Sequence, residues 1–213
     1  MSLRNASVSD MTNRTTAAGV NVIDLFAGAG GLGIGAEQAG ASVRLSVELD
    51  ETSCSTLEIN KSSIASQVLI ADVTDVSGEQ LRTEAGLTRS DELVVVGGPP
   101  CQPFSKAAYW TEEGNDAAYR RARANGEKGL TKPPAPEHAR QDDRRSLVEH
   151  FSRLVIESKA DGFVFENVPA IAHPRNLPIL DGLVSELRDD GFQITVTKLN
   201  AVAFGVAQKR ERI

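Results

Sequence analysis

Only two cysteines occur in 213 residues, Cys54 and Cys101, so no disulfide scaffold holds this chain together, and their wide separation does not match a cysteine zinc site. The three histidines, His138, His150 and His173, lack metal-ligand spacing, and no metal is expected. No apolar run approaches the roughly 18 residues that a membrane span requires, so no membrane partner is expected. Residues 1–18 lack the apolar core of a signal peptide and read as a flexible polar tail, which points to a cytoplasmic protein, nucleoid-associated if prokaryotic. A general excess of basic charge is also missing, because the net charge is −6. The imbalance is local: residues 1–100 hold 6 Lys/Arg against 13 Asp/Glu, a balance of −7, and residues 101–213 hold 17 against 16, a balance of +1. The first half is therefore unsuited to meet a polyanion, whereas clustered bases in the second half could. With 40% hydrophobic and 24% charged residues, the chain has the composition of a globular protein with its own core.

Short β-type runs alternate with helical stretches. Strands are predicted over 20–26, 42–48, 67–70, 93–96, 162–165 and 192–199, and helices to Ala39 and over 51–60, 78–84, 144–158 and 179–188. Residues 106–143 break the rhythm and read as a long loop or insertion; they include the basic run Tyr119–Arg123 and the proline-rich stretch Lys132–Pro136. Alternating strands and helices imply an α/β fold, a doubly wound and mostly parallel sheet whose ligands bind beyond the carboxyl ends of the strands.

The first strand runs into Phe26-Ala27-Gly28-Ala29-Gly30-Gly31-Leu32-Gly33, and Glu48 stands 20 positions after Gly28 at the end of the second strand. Glycines alone fit any tight turn. With a following helix and an acidic strand end, they point to an adenosine-containing cofactor, either NAD or S-adenosylmethionine. Asp72 follows the third strand, where it either caps a turn or accepts from an adenine amino group with Val73 against the ring. Cys54 reads as a small buried hydrophobe. Cys101 differs, because Gly97, Gly98, Pro99, Pro100 and Pro103 impose an extended path that presents its thiol at a strand end as a candidate nucleophile. Phe163, Val164 and Phe165 surround Glu166 with apolar groups, which disfavours its charged form and makes it a candidate proton donor; a carboxylate held by backbone N–H groups before Pro169 is the alternative.

Taken together, D-L-F-A-G-A-G-G-L at 24–32, G-G-P-P-C-Q-P-F-S at 97–105, E-N-V at 166–168 and Q-K-R-E-R at 208–212 resemble the cytosine-5 DNA methyltransferase family, in the family's order. The resemblance implies a Rossmann-like, S-adenosylmethionine-dependent methyltransferase domain over 19–213 that acts on DNA, in the manner of restriction-modification enzymes. It places Phe26, Gly28, Gly30, Leu32, Glu48, Asp72 and Pro100 around the S-adenosylmethionine, with Ala27, Gly31, Leu49 and Val73 beside them. Cys101 would be the nucleophile, Glu166 the group that engages the cytosine ring, and Arg210 and Arg212 the bases near its carbonyl oxygen and flanking phosphate. Gln102, Ser105, Asn167 and Gln208 are expected to contact the substrate, a base flipped out of the duplex.

In the family, the segment after Gln-x-Arg-x-Arg becomes a strand inserted antiparallel between the fifth and sixth strands, followed by a target-recognition domain. The expectation is a chain truncated before that strand, without the recognition domain, whose partner is a second polypeptide carrying both. The alternatives are an RNA (tRNA) cytosine-5 methyltransferase, a cofactor- or DNA-binding subunit that is catalytically incomplete, and an NAD-dependent oxidoreductase, which leaves Cys101 and Glu166 unexplained.

Overall fold

Alternating apolar strands and amphipathic helices assemble around a parallel sheet in a computed structural model of the chain, which describes residues 4–5, 19–104, 115–131 and 142–213. The elements are β1 (Arg4–Asn5), β2 (Asn21–Leu25), α1 (Gly31–Gln38), β3 (Ser42–Glu48), α2 (Glu51–Ile59), β4 (Gln67–Ile70), α3 (Gly78–Glu84), β5 (Leu93–Gly97), α4 (Asn115–Ala124), α5 (Leu147–Glu157), β6 (Gly162–Phe165), α6 (Leu177–Asp189), β7 (Thr197–Asn200) and β8 (Glu211–Arg212). Five strands pair in parallel in the order β4-β3-β2-β5-β6. The chain winds outward from β2 in one direction and then returns beside it to wind in the other, so the switch of direction falls between β2 and β5.

Both faces of the sheet are covered. Ile23, Leu25, Leu45, Val47, Leu93 and Val95 pack with Phe151 and Leu154 of α5 and with Leu187 of α6. Val22, Val43 and Val96 pack with Leu57 and Ile64 on the other face, beneath Leu32 and Ile34 of α1. The apolar stripe on α5 carries Phe151, whose ring meets Phe165 edge-on at 5.3 Å. Asp50 and Ser77 cap α2 and α3, accepting from the N–H groups of Ser53 and Gln80.

Several elements depart from the expectations above. Within the stretch expected to be one irregular insertion, Asn115–Ala124 is helical. Its alanine and arginine content, four Ala and three Arg in ten residues, favours a helix even without apolar periodicity; the proline-rich stretch Lys132–Pro136 lies outside the described residues. Of the strand expected over 192–199, only Thr197–Asn200 joins a ladder. A groove of about 670 Å³ separates 192–197 from β6, which puts the two backbones beyond hydrogen-bonding reach. Arg4–Asn5, inside the expected tail, pairs in parallel with Thr197 and Lys198, using the outer edge of β7. The inserted strand, expected to be missing, begins within the chain. Glu211 and Arg212 pair antiparallel with β7, and Ile213 exchanges both backbone hydrogen bonds with Asn167, at 3.0 and 2.9 Å.

One buried charge stitches the edge of the domain. Arg82 of α3 is 5% exposed and donates to the carbonyls of Ser158 and Lys159, at the end of α5, and of Thr88 and Asp91, in the turn leading to β5. Removing the guanidinium leaves those carbonyls without donors, so Arg82→Ala is expected to destabilise the domain by about 3 kcal/mol in urea denaturation.

Candidate functional site

A cleft of about 1110 Å³ opens at the carboxyl ends of the parallel strands. Each strand delivers residues to it: Phe26 from β2, Glu48 and Leu49 from β3, Asp72 and Val73 from β4, Pro100, Cys101 and Gln102 from β5, and Glu166 from β6. Arg210 and Arg212 close the far side. The strand ends thus gather residues separated by up to 140 positions, from Phe26 to Glu166, because parallel strands all end on the same side, and β8 adds Arg212 from the antiparallel ladder.

Its floor is the turn after β2. Phe26 adopts φ 57°, an unusual conformation for a bulky residue that costs of order 1 kcal/mol and holds the ring at the cleft. The Glu48 carboxylate secures the turn, accepting from the N–H of Gly28 at 2.8 Å with one oxygen and from those of Leu49 and Asp50 at 2.8 and 2.9 Å with the other. Gly30 lies at φ 93°, and a Cβ there would stand 2.4 Å from the Ile64 side chain and 2.9 Å from Leu57. Packing beneath the turn and the left-handed backbone each require glycine there. Of the eleven residues expected around the cofactor, Phe26, Glu48, Leu49, Asp72, Val73 and Pro100 line the cleft. Ala27 is buried in the core, Gly28 contributes its N–H to Glu48, and Gly31 opens to free space. Leu32 lines the neighbouring groove beside β6 instead, because α1 turns it towards that edge.

Charge divides the cleft. Glu48, Asp50, Glu51 and Asp72 line one side. Hydrogen bonds from the backbone and side chain of Thr74 hold the Asp72 carboxyl below the usual carboxylate range, which keeps it a charged acceptor. Bonds from Ser53 do the same for Asp50. Arg210 and Arg212 lie at the Glu166 end of the cleft, and Arg144 also lines it.

Cys101 is a free, half-buried thiol on the cleft wall. Glu166 differs from the expectation that apolar neighbours surround it. The pleat turns Phe163 and Phe165 into the core against Phe151, and the carboxylate forms an ion pair with Arg212 Nε at 2.5 Å, with Arg210 at 3.7 Å. Gly98 makes room for it, since a Cβ there would stand 3.0 Å from the Glu166 carboxylate. Asn167, expected to contact substrate, is buried beneath the site: its Nδ2 donates to Pro99 O at 3.1 Å and its Oδ1 accepts from Val168 N–H at 2.9 Å. Gln102 lines the cleft; Gln208 is exposed and outside it, and Ser105 lies outside the described residues. Arg144, just before α5, and Leu147, its first residue, also line the wall, and neither is among the expected site residues. Among the described residues, no group of three or more His, Cys, Asp or Glu side chains is arranged to hold a metal, and no helix is long and apolar enough to cross a membrane.

Compared with known proteins, residues 20–213 match the family model for C-5 cytosine-specific DNA methylases. The chain is 33% identical over 193 residues to Type II methyltransferase M.XorII of Xanthomonas oryzae pv. oryzae, covering 90% of this chain and 38% of that protein. It is 31% identical over 204 residues to Type II methyltransferase M.SacI of Streptomyces achromogenes, covering 90% and 46%. A crystal structure described as a DNA modification methyltransferase encoded within an E. coli prophage matches with a TM-score of 0.67 at 28% identity, covering 91% of this chain and 44% of that one. The chain therefore spans less than half the length of these relatives.

Beneath the cleft lies a residue that was read only as part of a motif. Asp24, in β2, is fully buried; its Oδ2 accepts from Gly33 N–H at 3.0 Å, and its Oδ1 has no hydrogen-bond partner among the described residues. A carboxylate inside the apolar run Val22–Leu25 was the signal that marks it. Burial, reinforced by the nearby Glu48 charge, pushes its carboxyl up to about 7 against the lowering effect of the Gly33 bond. Between the unfolded carboxyl's ordinary range and pH 7, the folded state keeps a proton that the unfolded chain has lost, so stability falls as pH rises through about 7. Asp24→Asn removes this titration. Relative to the wild type, it is expected to gain about 2–3 kcal/mol between pH 5 and pH 8 in urea denaturation.

Proposed function

The chain belongs to the C-5 cytosine-specific DNA methylase family, and from that premise we propose that it transfers a methyl group from S-adenosylmethionine to C5 of cytosine in DNA through a covalent adduct on Cys101. The observation that carries this reading is the single cleft in which Cys101 and the Glu166–Arg212 pair face Glu48 and Asp72.

The cofactor side of the cleft suits a sulfonium. Glu48 uses three acceptor positions on backbone N–H groups and keeps one for a ribose hydroxyl. Asp72 is a charged acceptor for an adenine amino group, and Leu49, 60% exposed, offers apolar surface to the ring. Four acidic side chains around the ends of β3 and β4 favour a cation over the diphosphate of NAD. When bound, S-adenosylmethionine supplies the electrophilic methyl group.

C5 of cytosine is a poor nucleophile, and the chain's residues correct that. The Cys101 thiolate bonds to C6, and the C5–C6 π electrons shift into the ring, which makes C5 enamine-like. Glu166 engages the N3 edge of the base, held for that task by Arg212, while the half-exposed Arg210 reaches the base carbonyl or the flanking phosphate. After methylation, C5 loses its proton, the C5–C6 double bond re-forms, and the S–C6 bond breaks to release the thiolate. The base enters this cleft only after leaving the helical stack.

A partner segment completes the fold. β6 presents its outer edge to the groove of about 670 Å³, Val164 is 50% exposed there, and Ile213 has already started an antiparallel ladder at Asn167. An unpaired edge of this kind accepts a strand. An extended segment continuing along β6, with a recognition domain attached, supplies sequence specificity whether it arrives on this chain or on a second polypeptide.

Three measurements check the proposal. Cys101→Ala is expected to abolish covalent capture of 5-fluorocytosine duplex DNA and to lower methyl transfer by at least about 1000-fold. In calorimetry, Glu48→Ala is expected to weaken S-adenosylmethionine binding by about tenfold or more. Binding of NAD in place of S-adenosylmethionine would overturn the reading.

A further inference from the structure

Cys101 sits between two proline carbonyls that the rest of the protein grips. Pro99, Pro100 and Pro103 carry no N–H, so this loop cannot donate backbone hydrogen bonds at those positions and must be held through its acceptors. Pro99 O, two residues before the cysteine, accepts from Asn167 at 3.1 Å. Pro103 O, two residues after it, accepts from Arg145 Nη1 at 3.2 Å. The same guanidinium lies 5.0 Å from the centre of the fully buried Phe104 ring and donates from Nη2 to Asn176 Oδ1 at 2.9 Å. Asn176 is itself 1% exposed and donates to Ala170 O at 2.8 Å, in the turn that follows Glu166-Asn167-Val168.

We propose that Arg145 is a positioning residue: it locks the downstream side of the Cys101 loop to the segment that carries Glu166 and so sets the distance between nucleophile and acid. The inference rests on the reading of Cys101 as the nucleophile. Arginine is needed because its planar fork sends two donors in divergent directions while its face lies on an aromatic ring; a lysine ammonium cannot do both. Phe104 already anchors the turn apolarly, so the two hydrogen bonds of Arg145 add register to the loop more than they add stability to the fold.

The test uses the full chain and two variants. Arg145→Met keeps the aliphatic stem and loses both hydrogen bonds, and Arg145→Lys keeps the charge. The first readout is the iodoacetamide alkylation rate of Cys101 at pH 8, resolved by peptide mass mapping against the buried Cys54. Both variants are expected to raise it about fivefold, while S-adenosylmethionine affinity stays within twofold and the thermal midpoint within a few degrees. The second readout is capture of 5-fluorocytosine duplex DNA, whose rate is expected to fall about tenfold with the half-saturating DNA concentration unchanged. Alkylation within twofold of wild type in both variants overturns the proposal. So does a change in alkylation that tracks losses of cofactor affinity and thermal stability, because that is the mark of a merely structural role. If alkylation rises as expected and the wild type, supplied with the segment that continues along β6 and its recognition domain, captures no DNA, the positioning of Cys101 stands and the methyltransfer reading falls.

Discussion

Three backbone N–H groups converge on the Glu48 carboxylate, and the site depends on that convergence. Gly28 belongs to the turn after β2, and Leu49 and Asp50 to the turn after β3, so one side chain ties two adjacent strand ends into a single rigid floor. Parallel neighbours bring these turns side by side, and the glutamate satisfies donors that the end of each strand leaves without a ladder partner. The strained backbone of Phe26 and the buried carboxyl of Asp24 are both held within this frame. A site built from fixed backbone dipoles reorganises little when charge moves within it.

The opposite wall is assembled differently. The floor is held by local donors, whereas the wall is held across long sequence distances: Asn167 reaches Pro99, Arg145 reaches Pro103, and Arg212 reaches Glu166. The proline-rich loop is stiff but poor in donors, so its placement is delegated to Arg145, in the turn before α5, and to Asn167, in the turn after β6. Acids cluster at the floor, while the wall pairs its carboxylate, Glu166, with Arg212 and Arg210.

Much of this was legible in the sequence, element by element. β3, β4, α3 and β6 fall at their predicted bounds, because short apolar runs bounded by polar or glycine residues leave little choice of period. The same reasoning overextended β7, because Phe192–Val196 has strand composition and no strand to pair with across the groove. It also passed over α4, whose helical tendency lies in alanine and arginine content and not in an apolar stripe. Among the site residues, those immediately after strands proved to line the cleft. Gly30 and Asn167 stand in the same motifs, yet they serve packing and loop placement beneath the cleft.

The set of reactive groups, and the side of the sheet on which they emerge, follows from a few consecutive residues at a time: glycine turn, acidic strand end, rigid cysteine, terminal arginines. These follow from local chemistry, since a strand's end and a proline's missing N–H are properties of a few consecutive residues. Only the tertiary structure decided which partner each group meets. Glu166 has phenylalanines beside it in the chain and an arginine beside it in space, because the pleat sends neighbours to opposite faces and β8 returns from 46 residues away to meet it. Arg145 and Asn176 carry no motif at all; they meet the cysteine loop from the turns just before α5 and α6, a meeting that exists only once the sheet has closed beneath them.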